Sequence, residues 1–130
     1  MSEHPNVKVF QRLYDAFTTG NMVKVGEEFS DDLVWHVPGS NSISGDYEGR
    51  ELTLQLFGKM FEATSGTYSP RVLDILANDK HVAAYLHATG SRNGQTLDQD
   101  YIFMFRIENG KIAEVWEFWN DGPAWGKFWS

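Results

Sequence analysis

Two Asn-Gly pairs constrain the second half of this chain more than any other feature of its sequence. They separate β-prone runs at 81–91, 96–108 and 111–120, as Asn93-Gly94 and Asn109-Gly110. Asn-Gly favours two-residue hairpin turns, because both turn positions need positive φ angles. The pattern therefore predicts an antiparallel meander, and a further β-prone run at 68–77 adds a strand before it.

The first half of the chain has the apolar spacing of helices. Gly20 followed by Asn21 predicts the end of one helix and the N-cap of the next. Helices that precede a run of strands are typical of an α+β fold, in which the helices pack on one face of the sheet. The elements expected before the meander are helices at 5–19, about 22–29 and 49–66, a strand at 33–39 and a loop at 40–48.

Length and charge exclude several classes of protein. A chain of 130 residues fits one domain, 1–130, and a hydrophobic fraction of 42% supplies a core. The net charge of -7 argues against nucleic acid and anionic membranes as partners. The apolar runs are too short to span a bilayer, and residues 1–20 lack the apolar segment of a signal peptide. A cytoplasmic protein is the expectation.

Metal ions and cofactors have no signature in the sequence. There is no cysteine, so thiolate metal sites and thiol nucleophiles are excluded. The four histidines show no paired spacing typical of a metal site, and no glycine-rich nucleotide loop occurs. We therefore expect no metal and no cofactor.

Three stretches of sequence carry a resemblance to a known group of proteins. They are DDLVWHVPG (31–39), YEGRE (47–51) and FRIENGKIAEVWEFW (105–119). With the order of three helices and four strands, they make the chain resemble the nuclear transport factor 2-like superfamily and, within it, the SnoaL-like proteins. The resemblance implies a cone-shaped α+β barrel, in which a curved, mostly antiparallel sheet wraps around three helices from the N-terminal half and leaves a pocket at the open end. It also implies a homodimer.

Members of this superfamily include ketosteroid isomerases, polyketide cyclases, epoxide hydrolases, dehydratases and non-enzymes, so the resemblance does not decide the function. The proton-handling groups of the ketosteroid isomerases are missing at the aligned positions. Their Asp before Pro corresponds to Val37, their tyrosine to Leu13 and their protonated Asp to Phe103. Steroid isomerase activity is therefore not expected.

A carboxylate at the end of the last strand is the first catalytic candidate. Polyketide cyclases and epoxide hydrolases of the superfamily place an Asp there, and this chain has Asn120 and Asp121. Burial beside aromatic rings would raise the pKa of Asp121 into a useful range, whereas the structural alternative is a turn Asp. Tyr14 is the expected hydrogen-bond donor. His36 is a third candidate, although strand alternation places it opposite Trp35.

The second Asn-Gly turn decides which side chains face the pocket, because a slip of one residue inverts a strand. With a two-residue turn, the face of the sheet that holds Phe103 also carries Trp116, Phe118 and Asn120. A three-residue loop instead pairs Tyr101 with Glu117 and brings to that face Trp119 and Asp121. Both turns suit the sequence.

Aromatic residues make up 15% of the chain, and they suit the walls of a pocket for a small hydrophobic organic molecule. The residues expected to bind this ligand are Phe17, Trp35, Val37, Phe57, Phe61, Tyr101, Phe103, Trp116, Phe118 and Asn120. The function expected is ligand binding, with cofactor-free acid–base catalysis as a cyclase, isomerase or hydratase if the protein is an enzyme. The alternative is a non-catalytic binding or dimerisation module.

Two further features concern the surface. If Asn93-Gly94 forms a two-residue turn, His87 lies opposite Asp100, as a polar pair on the outer face of the sheet. The aromatic residues of the C-terminal GPAWGKFWS segment either fold over the cone or pack against another chain.

Overall fold

Six strands form one curved sheet, whose inner face is covered by helices in a computed structural model that describes residues 3–130. The predicted α+β fold is confirmed. In chain order the elements are α1 (Pro5–Thr18), α2 (Met22–Glu27), β1 (Phe29–Val37), β2 (Gly45–Glu48), α3 (Arg50–Ala63), β3 (Ser69–Ala77), β4 (His81–Arg92), β5 (Gln95–Glu108), β6 (Lys111–Trp119) and α4 (Gly122–Trp129).

The strand order in the sheet is β2-β1-β6-β5-β4-β3. Only the pair of β1 and β6 is parallel, and the other neighbours are antiparallel. Because β2 and β3 are edges, the sheet forms an open cone and not a closed barrel. Four helices accompany it within residues 3–130, one more than predicted.

Aromatic contacts join α1 and α3 to the inner face of the sheet. Phe10 of α1 packs on Phe105 of β5, with ring centroids 5.4 Å apart. Phe57 of α3 packs on Trp35 of β1, with centroids 5.1 Å apart. Strand alternation then leaves the opposite, outer face of the sheet uncovered in the single chain.

The predicted turn and cap residues have the predicted roles. Asn21 caps α2, because its side chain accepts a hydrogen bond from the Lys24 amide at 3.2 Å. In each Asn-Gly turn both residues have φ angles between 51° and 77°. Each turn closes a two-residue hairpin, β4 to β5 and β5 to β6, so the predicted meander is confirmed.

A bulge in the last hairpin changes the register expected from its turn. Arg106 pairs with Glu114, which leaves Ala113 as an extra residue of β6. Phe103 consequently lies opposite Glu117, and neither of the two registers derived from the sequence has that pairing. The alternative with a three-residue turn nevertheless places the side chains of β6 on the correct faces of the sheet.

The ends of the sheet differ from the sequence-based expectation. The expected loop 40–48 contains the short strand β2, which pairs with β1. β1 itself begins at Phe29, four residues before the expected start, because Phe29 pairs with Ile112 of β6. Within residues 3–130, no helix is both long and apolar enough to cross a membrane.

The C-terminal aromatic residues fold over their own chain as helix α4. Trp125, Phe128 and Trp129 are all buried. The Arg92 guanidinium donates to the Phe128 carbonyl at 2.9 Å, and the Ser42 hydroxyl donates to the Trp129 carbonyl. These contacts fix α4 across one end of the cone.

Candidate functional site

The sheet and helices enclose an inner cavity of about 60 Å³. Since about 10–15 Å³ of such space holds one water molecule, the inner cavity accommodates a small organic group. A larger outer recess of about 540 Å³ lies next to it and shares five of its lining residues, including Phe17 and Tyr68. The inner cavity is lined by Phe10, Leu13, Tyr14, Phe17, Trp35, Phe57, Met60, Tyr68, Pro70, Leu86, Tyr101, Phe103, Phe105, Glu117, Trp119 and Trp125.

Glu117 is the one carboxyl group in this lining, and two indoles hold it. Trp35 Nε1 donates to Glu117 Oε2 at 2.7 Å, and Trp119 Nε1 donates to Glu117 Oε1 at 2.8 Å. Trp119 shares the inner face with Glu117 because it lies two residues further along β6. Trp35 reaches Glu117 from β1, the parallel neighbour of β6. Each carboxylate oxygen therefore accepts one N–H group.

Burial raises the pKa of Glu117 from 4.5 to about 7. The hydrogen bonds from Trp119 and Trp35 lower the pKa, but burial outweighs them. The side chain keeps some accessible surface because it borders the inner cavity. No Lys, Arg or His is among the lining residues, so the ionised carboxylate has no counter-cation in the cavity wall.

The hydroxyls of Tyr68 and Tyr101 in the inner cavity stay protonated near neutral pH. The Tyr14 hydroxyl donates to the Pro70 carbonyl at 2.8 Å, and the Tyr68 hydroxyl donates to the Tyr101 hydroxyl at 3.4 Å. Burial raises the pKa of Tyr68 and that of Tyr101 above their usual value. Glu117 is consequently the lining group that changes charge near neutral pH.

The aromatic walls meet at different angles. Trp35 contacts Phe57 and Phe103 at interplanar angles of 86° and 89°. Tyr101 instead stacks on Trp119, with centroids 4.1 Å apart. The walls around Glu117 are therefore closely packed rings, which give its carboxyl group apolar surroundings of low dielectric.

Half of the side chains expected to bind a ligand are brought together here, with Tyr14, the expected hydrogen-bond donor. The inner cavity is lined by Tyr14, Phe17, Trp35, Phe57, Tyr101 and Phe103. Phe61 lines the outer recess, where it is exposed. Val37 is buried in the core and does not border the inner cavity.

Three residues expected in the pocket lie elsewhere, which corrects the sequence-based interpretation. Trp116 and Phe118 point to the outer face of the sheet, and Asn120 is exposed beyond the end of β6. Trp116 stacks on His36 with centroids 5.8 Å apart. The bulge at Ala113 is the cause, because one extra residue inverts the remainder of β6.

Asp121 is the N-cap of α4, and its prediction as the catalytic carboxylate is wrong. Its Oδ1 accepts a hydrogen bond from the Ala124 amide at 3.0 Å, and the residue is exposed. Its backbone N–H donates to Gln99 Oε1 at 2.8 Å. The side chain faces away from the cavity because β6 ends at Trp119 and a helix follows.

His36 also lies outside the cavity, on the outer face of the sheet. Its Nδ1 lies 2.7 Å from Asp46, and its Nε2 lies 2.6 Å from Glu114. Burial lowers the pKa of His36, but the hydrogen bonds to both carboxylates outweigh it and raise the pKa. His87 has a similar arrangement with Asp100 at 2.6 Å, as the predicted cross-strand pair. Among residues 3–130, no group of three or more His, Cys, Asp or Glu side chains is placed to hold a metal ion.

Sequence reasoning did not select Glu117, Trp119 or Tyr68 as site residues. The signal for Glu117 was present, because the three-residue turn alternative pairs it with Tyr101 and places it on the inner face. Choosing between the registers needed the position of the bulge, which leaves no mark in the sequence.

Comparisons with known proteins match nearly the whole chain. The family model of the SnoaL-like domain matches residues 10–115. The structure of Bal32a, from a soil-derived mobile gene cassette, is 33% identical with a TM-score of 0.92, over 96% of each chain. A protein from Xanthomonas campestris, described as of unknown function with a cystatin-like fold, is 34% identical with a TM-score of 0.91, over 98% of this chain and 99% of that one.

A nuclear transport factor 2-like protein from Burkholderia xenovorans LB400 shares the fold at lower identity. It is 20% identical with a TM-score of 0.84, over 100% of this chain and 99% of that one. This match concerns the fold alone.

Proposed function

We propose that this chain, which belongs to the SnoaL-like domain family, binds a small hydrophobic organic molecule. It acts on this molecule as a cofactor-free acid–base enzyme. Its fold is the nuclear transport factor 2-like fold that its sequence resembles. Glu117 carries the proton. The reaction class is one that a single proton carrier serves, such as isomerisation, cyclisation or hydration.

One observation carries this proposal. Glu117 borders an aromatic cavity and has a pKa of about 7. A general acid or base works best when its pKa lies near the working pH, because both protonation states are then populated. Enzymes bring carboxyl groups into this range by burying them in apolar surroundings.

The neighbouring side chains have separate roles in this proposal. Trp35 and Trp119 orient the carboxyl group, because each donates to a different oxygen. The rings of Phe57 and Phe103 exclude water and contact the ligand. The outer recess, lined in part by Phe61, admits the ligand.

The rival is a non-catalytic binding or dimerisation module. A buried carboxyl group weakens the fold once it is charged, and the two indole hydrogen bonds offset this cost only in part. This argument favours the enzyme. A test for acid–base catalysis needs only a small carbon acid as the probe.

The test is deuterium exchange at the C–H bond next to the nitro group of nitroethane, followed by proton NMR in D2O. The exchange requires only a base. We expect the protein-dependent rate to rise with pH through about 7 and then level off, because ionised Glu117 is the active form. Glu117→Gln should abolish this rate.

Asp121→Asn is the matched control. Asparagine caps a helix as well as aspartate does, and Asp121 faces away from the cavity, so exchange should be unchanged. Equal rates for the wild type and Glu117→Gln would refute the proposal and leave the non-catalytic module.

A further inference from the structure

The charge balance of the inner cavity bears on the class of ligand. Its one ionisable carboxyl, Glu117, accepts hydrogen bonds from two neutral indoles and has no cationic side chain beside it. An N–H dipole compensates a buried carboxylate only in part. A cation that enters the cavity would supply the missing positive charge.

The cavity walls also suit a cation. Aromatic rings make up most of the lining, and they carry negative charge on their faces. The ring planes of Trp35 and Phe103 are nearly perpendicular, so these two walls do not both turn the same ring edge toward the cavity. Desolvated cations over such faces gain about 2 kcal/mol in known sites.

Hydrogen-bond donors for an anionic ligand are scarce in the same cavity. The Tyr14 hydroxyl donates to the Pro70 carbonyl, and the Tyr68 hydroxyl donates to Tyr101. Both indole donors nearest Glu117 are used by the carboxyl group itself. Among the described lining residues, the buried donor left without a hydrogen-bond partner is the Trp125 indole N–H, so an anionic ligand would meet an ionised carboxylate with little to offset it.

The whole chain favours the same sign of charge. Its net charge of -7 attracts cations and repels anions as they approach. Arg106 of β5 lies on the outer face and pairs with Glu108 and Glu114. It does not neutralise the cavity.

From this geometry we propose that the ligand carries a basic nitrogen and binds in the inner cavity as a hydrophobic ammonium ion, paired with ionised Glu117. The inference rests on the proposed function, because it uses the same cavity and the same carboxyl group. It adds the chemical class of the ligand. The cationic end lies against Glu117, and a larger apolar part extends toward the outer recess.

A measurable consequence is that binding displaces the proton of Glu117. Below pH 7 the free carboxyl is mostly protonated and the amine is an ammonium ion, so the ion pair forms only with release of a proton. We expect release of about one proton per ligand at pH 6 and about a tenth at pH 8. Affinity should be about tenfold weaker at pH 6 than at pH 8.

The experiment compares three probes that share one isobutyl group: isobutylamine, isobutanol and isovalerate. Calorimetry in two buffers of different ionisation enthalpy measures affinity and proton release. Quenching of tryptophan fluorescence gives a second readout, since Trp35 and Trp119 line the cavity. We expect the amine to bind at least about tenfold more tightly than the alcohol at pH 8, and isovalerate not to bind.

Variants locate the effect. Glu117→Gln should weaken binding of isobutylamine by about 30-fold or more and leave isobutanol binding little changed. Asp121→Asn should change neither, since Asp121 lies outside the cavity. The proton release is measured on the wild type, so it remains informative if Glu117→Gln folds poorly.

Two results would overturn the inference: tighter binding of isobutanol than of isobutylamine, or binding of the amine without proton release at pH 6. These results can be distinguished from a failure of the proposed function by the nitroethane exchange. If Glu117 catalyses exchange of nitroethane while the amine does not bind, only the ligand class is wrong. If neither occurs, the carboxyl group is not an acid–base site.

Discussion

Glu117 experiences two opposing effects, and their balance sets its chemistry. Burial disfavours the charged form, and the indole N–H groups of Trp35 and Trp119 favour it. Because burial is the larger effect, the pKa lies near 7. The same pKa shift makes the stability of the folded state depend on pH, since a carboxyl group that resists ionisation weakens the folded state once it is charged.

The first prediction concerns the stability of Glu117→Gln. A carboxyl whose pKa moves from 4.5 to about 7 binds its proton more tightly in the fold than in the unfolded chain. Its stabilising effect is therefore complete below pH 4.5 and is lost as pH rises through 7. The free energy of unfolding of the wild type should fall by about 3 kcal/mol relative to the variant from pH 4.5 to pH 8.

Urea unfolding at a series of pH values checks this prediction. Glutamine does not titrate, so the difference between the two curves isolates Glu117. Parallel pH profiles for the two proteins would contradict a raised pKa at this residue.

At the scale of elements, α4 depends on its first residue. The carboxylate of Asp121 accepts from the Ala124 amide, and Gln99 holds the Asp121 backbone from β5. Asp121→Ala should lower the free energy of unfolding by about 1 kcal/mol, because an N-cap is lost. Asp121→Asn should keep the stability of the wild type, since asparagine is an equally good cap.

Thermal and urea unfolding of both variants measure these effects, and nitroethane exchange measures the chemistry. Exchange should stay at the wild-type rate in Asp121→Asn. A loss of exchange there, with stability unchanged, would return the catalytic role to Asp121.

Local sequence signals predicted most of the elements. The Asn-Gly turns and the Asn21 cap act through their own backbone angles and hydrogen bonds, so they are readable without tertiary contacts. The strand β2 and the helix α4 escaped prediction because they are short and depend on contacts with β1, Ser42 and Arg92.

The candidate site was only partly predictable for one reason. Aromatic side chains on α1, α3 and β5 follow from periodicity, and they do line the cavity. The faces of β6 depend on the bulge at Ala113, which no residue preference marks. Glu117 was therefore missed, and Trp116 was placed on the wrong face.

At the scale of the whole molecule, the two faces of the sheet differ. The inner face borders the cavity, whereas the outer face exposes a row of apolar side chains across three neighbouring strands. In this row Tyr85 is 37% exposed, Ile102 40% and Phe118 57%. We propose that a second copy of the chain covers this row, which agrees with the homodimer expected from the sequence.

Light scattering after size-exclusion chromatography tests this proposal. The wild type should have twice the chain mass of 14.8 kDa. Phe118→Asp should shift it to a monomer, because a charge in an apolar interface is costly. Phe61→Asp, at the outer recess, is the control and should leave the dimer intact. A monomeric wild type would refute the proposal.

The most direct test of the central claim is an NMR titration of the Glu117 carboxyl carbon in protein labelled with carbon-13 at the glutamate side chains. Glu117→Gln assigns the signal by its disappearance. We predict a midpoint at about 7, because burial in the aromatic cavity outweighs the two indole hydrogen bonds. A midpoint near 4.5, the usual value for a glutamate, would contradict the assignment of Glu117 as the proton carrier.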